Sequence, residues 1–134
     1  MNRGERERLP DRRVHTQSVH ANVAGLTLHL HTAAFEDGRC GEIFIRTRRG
    51  DTTVRGLLNT LSITASLALQ YGAPLEELVD AWKFQKFEPH GPVIGHDRLK
   101  MCSSLVDYVG RELAITYLGR DDLAHVDENG EVTA

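Results

Sequence analysis

Leu26-Thr27-Leu28-His29-Leu30-His31-Thr32 alternates apolar and polar side chains without a break. Side chains on a strand point to opposite faces in turn, so this stretch reads as a half-buried strand with Leu28 and Leu30 inside and Thr27, His29 and His31 outside. Upstream, His15 to Val23 reads as a first strand with Val19, Ala21 and Val23 on one face, and Ala24-Gly25 as a tight connection. Downstream, Glu36-Asp37-Gly38 reads as a hairpin turn with Gly38 free to take positive φ. Gly41 to Arg46 makes the third strand, with Ile43 and Ile45 inward beside Leu28 and Leu30. The three strands read as an antiparallel meander.

A long helix follows from Val54 to Tyr71, with Asp51 or Thr52 as N-cap and Gly72 just past its end. Leu57, Leu58, Leu61, Ala65, Ala68 and Leu69 recur at helical spacing. No charged side chain occurs between Gly56 and Tyr71. A surface helix normally carries a charged face, so this helix is expected to be covered on more than one side, with Leu57, Leu61 and Leu69 as interface residues. Pro74 opens a short helix whose apolar stripe is Leu75, Leu78, Val79 and Trp82. Glu88 to Gly95 reads as irregular, with Phe84 and Phe87 packed inward. Asp97 reads as the cap of a final helix carrying Leu99, Met101, Leu105, Val109 and Leu113 to its stop at Gly119. The expectation is an α+β domain over 14–126, a small antiparallel three-stranded sheet packed against two or three helices. A polar arm (1–13) precedes it and a flexible tail (127–134) follows.

The net charge of -3 argues against broad nucleic-acid binding. No apolar run approaches the length that spans a bilayer, and no signal peptide opens the chain. Cys40 and Cys102 are the only cysteines and form no Cys-x-x-Cys, which fits a cytoplasmic protein with reduced thiols. Nothing beside them provides the base that a nucleophilic cysteine requires. His29-x-His31, with His20 on the neighbouring strand, puts three imidazoles on one face, a candidate metal set. In the 84–96 loop, Lys86, Glu88, His90 and His96 stand around Pro89 and Pro92 and are candidate ligand-binding residues. No phosphate-binding glycine loop is present.

The chain also carries Leu9-Pro10-Asp11-Arg12-Arg13, Asp37-Gly38-Arg39, Gly41 to Ile45, Leu67 to Gly72 and Pro74-Leu75-Glu76-Glu77. Phe87-Glu88-Pro89, Gly91-Pro92-Val93, Asp107-Tyr108, Arg111-Glu112-Leu113-Ala114 and Tyr117 to Val126 follow in order. This series resembles the TSCPD-domain family, in particular the C-terminal region of adenosylcobalamin-dependent (class II) ribonucleotide reductases, a block that lies outside the radical barrel. The resemblance implies a stand-alone, non-catalytic accessory domain of deoxyribonucleotide metabolism and DNA synthesis, acting through protein binding or self-association. Its partners would be itself, as a homo-oligomer, or a catalytic reductase subunit, with adenosylcobalamin reached only through that reductase.

The family name is ribonucleoside-diphosphate reductase, yet two cysteines cannot supply a thiyl radical and a reducing pair. Nor can 134 residues build the barrel as well. The Thr-Ser-Cys-Pro-Asp signature is absent, and the family's C-terminal shuttle cysteines have no counterpart after Val126. No catalytic residue carries over, and no activity is expected of this chain alone. The alternative is a ligand-binding module, for nucleotide or metal, built on the histidine strand or the 84–96 loop.

Overall fold

The computed structural model describes residues 4–49 and 51–132. Residues 1–3 of the arm, Gly50, and Thr133 and Ala134 of the tail lie outside the described residues. Strands β1 (Thr16–Val23), β2 (Leu26–Ala34), β3 (Cys40–Thr47), β4 (Gly91–Ile94) and β5 (Met101–Cys102) form one sheet in the order β3-β2-β1-β4-β5. Every pairing is antiparallel. A two-residue turn joins β1 to β2, with Ala24 and Gly25 both at positive φ, the geometry that matches the twist of a hairpin. The register sets Leu30 between Val19 and Ile45, and His29 between His20 and Arg46. One face therefore collects Ala21, Val23, Leu28, Leu30, Ile43 and Ile45, all buried. Each such side chain contributes about 1.5–3 kcal/mol when fully withdrawn from water.

Helix α1 (Thr52–Gln70) starts at Asp51, whose side chain accepts from the Thr53 amide at 2.7 Å. Its position along β3 follows from three polar residues four apart, Ser62, Ser66 and Gln70. The Oγ atoms of Ser62 and Ser66 accept from the amides of Ile45 and Ile43, each at 2.9 Å. Ser66 also donates to the Ile43 carbonyl at 3.0 Å, and Gln70 donates to the Gly41 carbonyl at 2.9 Å. An edge strand leaves backbone groups unpaired, and burial without partners is costly. This stripe of short polar side chains stands in for the missing neighbouring strand. The adjacent stripe, Leu58, Ala65 and Leu69, enters the core.

Helix α2 (Leu75–Trp82) packs against α3 (Leu105–Leu118). They meet at Gly110, where a Cβ would stand only 3.1 Å from the Trp82 Cβ. The α3 helix lies over β1 and β2, and Tyr117 donates to the Thr32 hydroxyl at 2.7 Å. It begins at Ser104, which accepts from the Asp107 amide at 2.9 Å, and ends at Gly119 with φ 63°. The arm is tied down. The Glu7 amide donates to the Gln70 carbonyl at 2.8 Å, and Leu9 is buried with Ala33 and Phe35.

Several expectations need correction. The sheet has five strands among the described residues, not three: β4 lies within the segment read as irregular, and β5 follows it. Both strands are too short to show a period, and β4 is held by Asn22 and Val23 of β1. Asp97 does not cap the last helix; Ser104 does, and Leu99, Met101 and Cys102 precede it. The Asp107 carboxylate in turn accepts from the amide of Ser103, one residue before the cap, at 3.0 Å. Phe84 and Phe87 are exposed rather than inward. Leu57, expected at an apolar contact, is 66% exposed, so the outer side of α1 is open.

Candidate functional site

Because α3 covers one face of the sheet and α1 its β3 edge, the face of β1, β2 and β3 opposite the core faces solvent. The alternation of β2 puts His29 and His31 there. Cross-strand pairing sets His20 and Phe44 directly opposite them, with Arg46 opposite His29. The rings form a row: His20 to His29 at 5.1 Å, His29 to His31 at 6.3 Å, and His31 to Phe44 at 6.4 Å between centroids. Arg46 lies 5.4 Å from the Phe44 ring centroid.

Where this face meets the first turns of α1 there is a concavity of about 710 Å³. His29, His31, Phe44, Arg46, Arg48 and Arg55 line it, and no carboxylate does. Among the described residues, none of the three arginines is in an ion pair. Glu42, the acid on the same strand face, is bound by Arg13 at 2.7 Å. Partial burial holds the His29 imidazole below its ordinary range, and His20, His31, Arg48 and Arg46 add repulsion in the same direction. The face is thus a groove lined by three arginines with a row of rings beside it.

The structure brings His20, His29 and His31 together, as the strand pattern anticipated, but stacked rather than converging. Among the described residues no group of three or more His, Cys, Asp or Glu is arranged to hold a metal ion. The loop residues are dispersed. Lys86, Glu88 and His90 are exposed, and no hydrogen bond or ion pair joins them to one another or to His96. His96 instead points into the fold. Its Nδ1 accepts from the amides of Arg98 and Leu99, both at 3.0 Å, which leaves Nε2 to donate to Glu112 at 2.7 Å. Thr116 donates to the other Glu112 oxygen at 2.9 Å. This makes His96 a fastener between the β4–β5 connection and α3. Asp107 does similar work, accepting from the Phe84 amide at 2.6 Å and pairing with Arg111 at 3.0 Å.

Neither thiol is poised for chemistry. Burial pushes Cys40 up to about 12, and burial raises Cys102 as well. The two sit on strands at opposite edges of the sheet. Three strands separate them, and both thiols are free.

The other exposed feature is the outer side of α1. Leu57, Ile63, Leu67 and Tyr71 are all exposed there, spaced with Thr60 and Thr64 along one uncharged stripe. Of the interface residues read from periodicity, only Leu57 belongs to it: Leu69 is in the core and Leu61 packs against the core. No helix among the described residues is long and apolar enough to cross a membrane.

The TSCPD domain family model matches residues 6–117. Vitamin B12-dependent ribonucleotide reductase of Agrobacterium fabrum is 53% identical over 124 residues, covering 92% of this chain and 10% of that protein. The Bradyrhizobium diazoefficiens protein of the same name is 51% identical over the same shares, and that of Rhodopirellula baltica 36% identical over 87% of this chain and 11% of its own length. The chain therefore spans about a tenth of the length of these curated relatives. No solved structure matches.

Proposed function

The chain belongs to the TSCPD domain family, and from that premise we propose that it is a non-catalytic accessory unit of B12-dependent ribonucleotide reduction that works by docking onto a catalytic reductase. The observation that carries this reading is the match itself: 92% of the chain corresponds to a region making up 10% of a reductase. That region has the remaining nine-tenths of an enzyme to rest against. The outer stripe of α1 supplies a surface for it, with Leu57 66% and Ile63 55% exposed and no charge from Gly56 to Tyr71. An uncharged, partly apolar face is what a permanent contact covers. The radical chemistry, adenosylcobalamin and the reducing cysteines belong to the partner, and the setting is the cytoplasm, where two separated thiols stay reduced.

The test is light scattering of this chain mixed with a B12-dependent reductase from which the homologous region has been deleted. The expected result is a stoichiometric complex that the Leu57→Gln, Leu67→Gln double variant loses while keeping its fold. Absence of a complex at tens of micromolar refutes the reading. A self-dimer lost in the same variant would assign the stripe to a second copy of the chain instead.

A further inference from the structure

The cationic groove on the open sheet face is lined by none of the exposed apolar residues of the α1 stripe. Its position follows from the register: β3 carries Phe44 and Arg46 on its outer side, Arg48 follows the end of the strand, and α1 brings Arg55 to the same rim. Three guanidinium groups with no ion pair among the described residues surround a concavity of about 710 Å³, within the ~300–1,000 Å³ range of small-molecule sites. Unpaired guanidinium groups crowded together repel one another, and an anion relieves that repulsion. Guanidinium forks match the oxygens of a phosphate. Beside them lies a row of rings, His29, His31 and Phe44, whose centroids are 6.3 and 6.4 Å apart, with Phe44 tilted 41° from His31. Exposed rings on an antiparallel sheet form a platform on which a base stacks.

Cations for a phosphate and rings for a flat heterocycle, in one groove, lead us to propose that this face binds a nucleoside phosphate. Arg46, Arg48 and Arg55 take the phosphate groups, and Phe44 with His31 takes the base. The net charge of -3 opposes a long polyanion elsewhere on the surface, so a free nucleotide is the expected ligand rather than an extended single strand.

Titration calorimetry of the full chain with ADP, inorganic tripolyphosphate and a twelve-residue oligothymidylate tests the assignment. ADP should bind with a dissociation constant in the micromolar range, weaken with salt, and shift amide signals of β2 and β3. Arg46→Gln and Arg55→Gln should each weaken ADP about tenfold, as expected for loss of a charge-assisted hydrogen bond. Phe44→Ala, at a half-exposed position, should weaken ADP about tenfold, the loss expected for one stacked base, and leave tripolyphosphate unchanged. Leu57→Gln with Leu67→Gln should leave ADP binding intact, which separates this result from the docking test. An oligothymidylate that binds more tightly than ADP and depends on the same residues would keep the chemistry and name the single strand as its source. No ADP binding at millimolar concentration, ADP binding no tighter than tripolyphosphate, or binding indifferent to these arginines would overturn it.

Discussion

Ser62→Ala removes one oxygen and tests how the β3 edge is sealed. Ser62 is 1% exposed. Its Oγ accepts from the Ile45 amide at 2.9 Å and donates to the Leu58 carbonyl at 2.7 Å. The Leu58 carbonyl keeps its place in the helix ladder, so its loss is small. The Ile45 amide has no second acceptor, and water cannot reach it between α1 and β3. Leaving a buried donor unsatisfied costs about 1–3 kcal/mol; Ala is the better helix former and returns about 0.5 kcal/mol. The net expectation is about 1–2 kcal/mol of destabilisation. For a chain of this length, the unfolding entropy of about 2.1 cal/mol/K per residue converts that into a Tm lower by about 4–7 °C. Guanidinium unfolding measures the free energy, and hydrogen exchange should show the Ile45 amide losing protection relative to Leu28 and Leu30. Thr64→Ala is the control, since Thr64 only donates to the exposed Thr60 carbonyl, and should change stability by less than about 0.5 kcal/mol. A Ser62→Ala protein as stable as the parent, with Ile45 still protected, would refute the view that α1 closes this edge through its hydroxyls.

His96→Ala should cost about 1–3 kcal/mol, because it removes the donor to one oxygen of the buried Glu112 side chain and leaves it only Thr116; no measurable loss in chemical denaturation would show the contact to be incidental. Cys40, held at about 12 against an ordinary 9.0, should react with iodoacetamide at pH 8 about a thousandfold more slowly than a free thiol, since only thiolate attacks. Mass spectrometry of the native protein reads this, and rapid labelling at Cys40 would show that the strand opens. The purified chain should give no ribonucleotide turnover with adenosylcobalamin and a dithiol reductant, because both of its thiols are buried and lie on strands at opposite edges of the sheet; turnover above background would refute the accessory reading.

Sequence alone determined the features in which one residue's neighbours along the chain decide its environment. The alternation of Leu26 to Thr32 placed the histidines on one face, and the turns at Ala24-Gly25 and Asp37-Gly38 brought three strands into the order found. Gly119 ended α3 where a left-handed residue was required. The ordered motifs from Leu9 to Val126 identified the family, since a long match depends on no single contact. Periodicity reports which side of an element is withdrawn from water, but not what covers it. The lack of charge in α1 was therefore readable, while its two causes were not: Ser62, Ser66 and Gln70 satisfy backbone groups of β3 17 to 29 positions away, and Leu57 to Tyr71 stay open. The same limit hid β4, whose partner β1 lies some seventy residues earlier, and made His96 look like a loop ligand when Glu112 holds it inside. Arg55 joins Arg46 and Arg48 only because α1 folds back along β3. Such sites are assembled by long-range hydrogen bonds and edge packing, whose energy depends on geometry that no local pattern encodes.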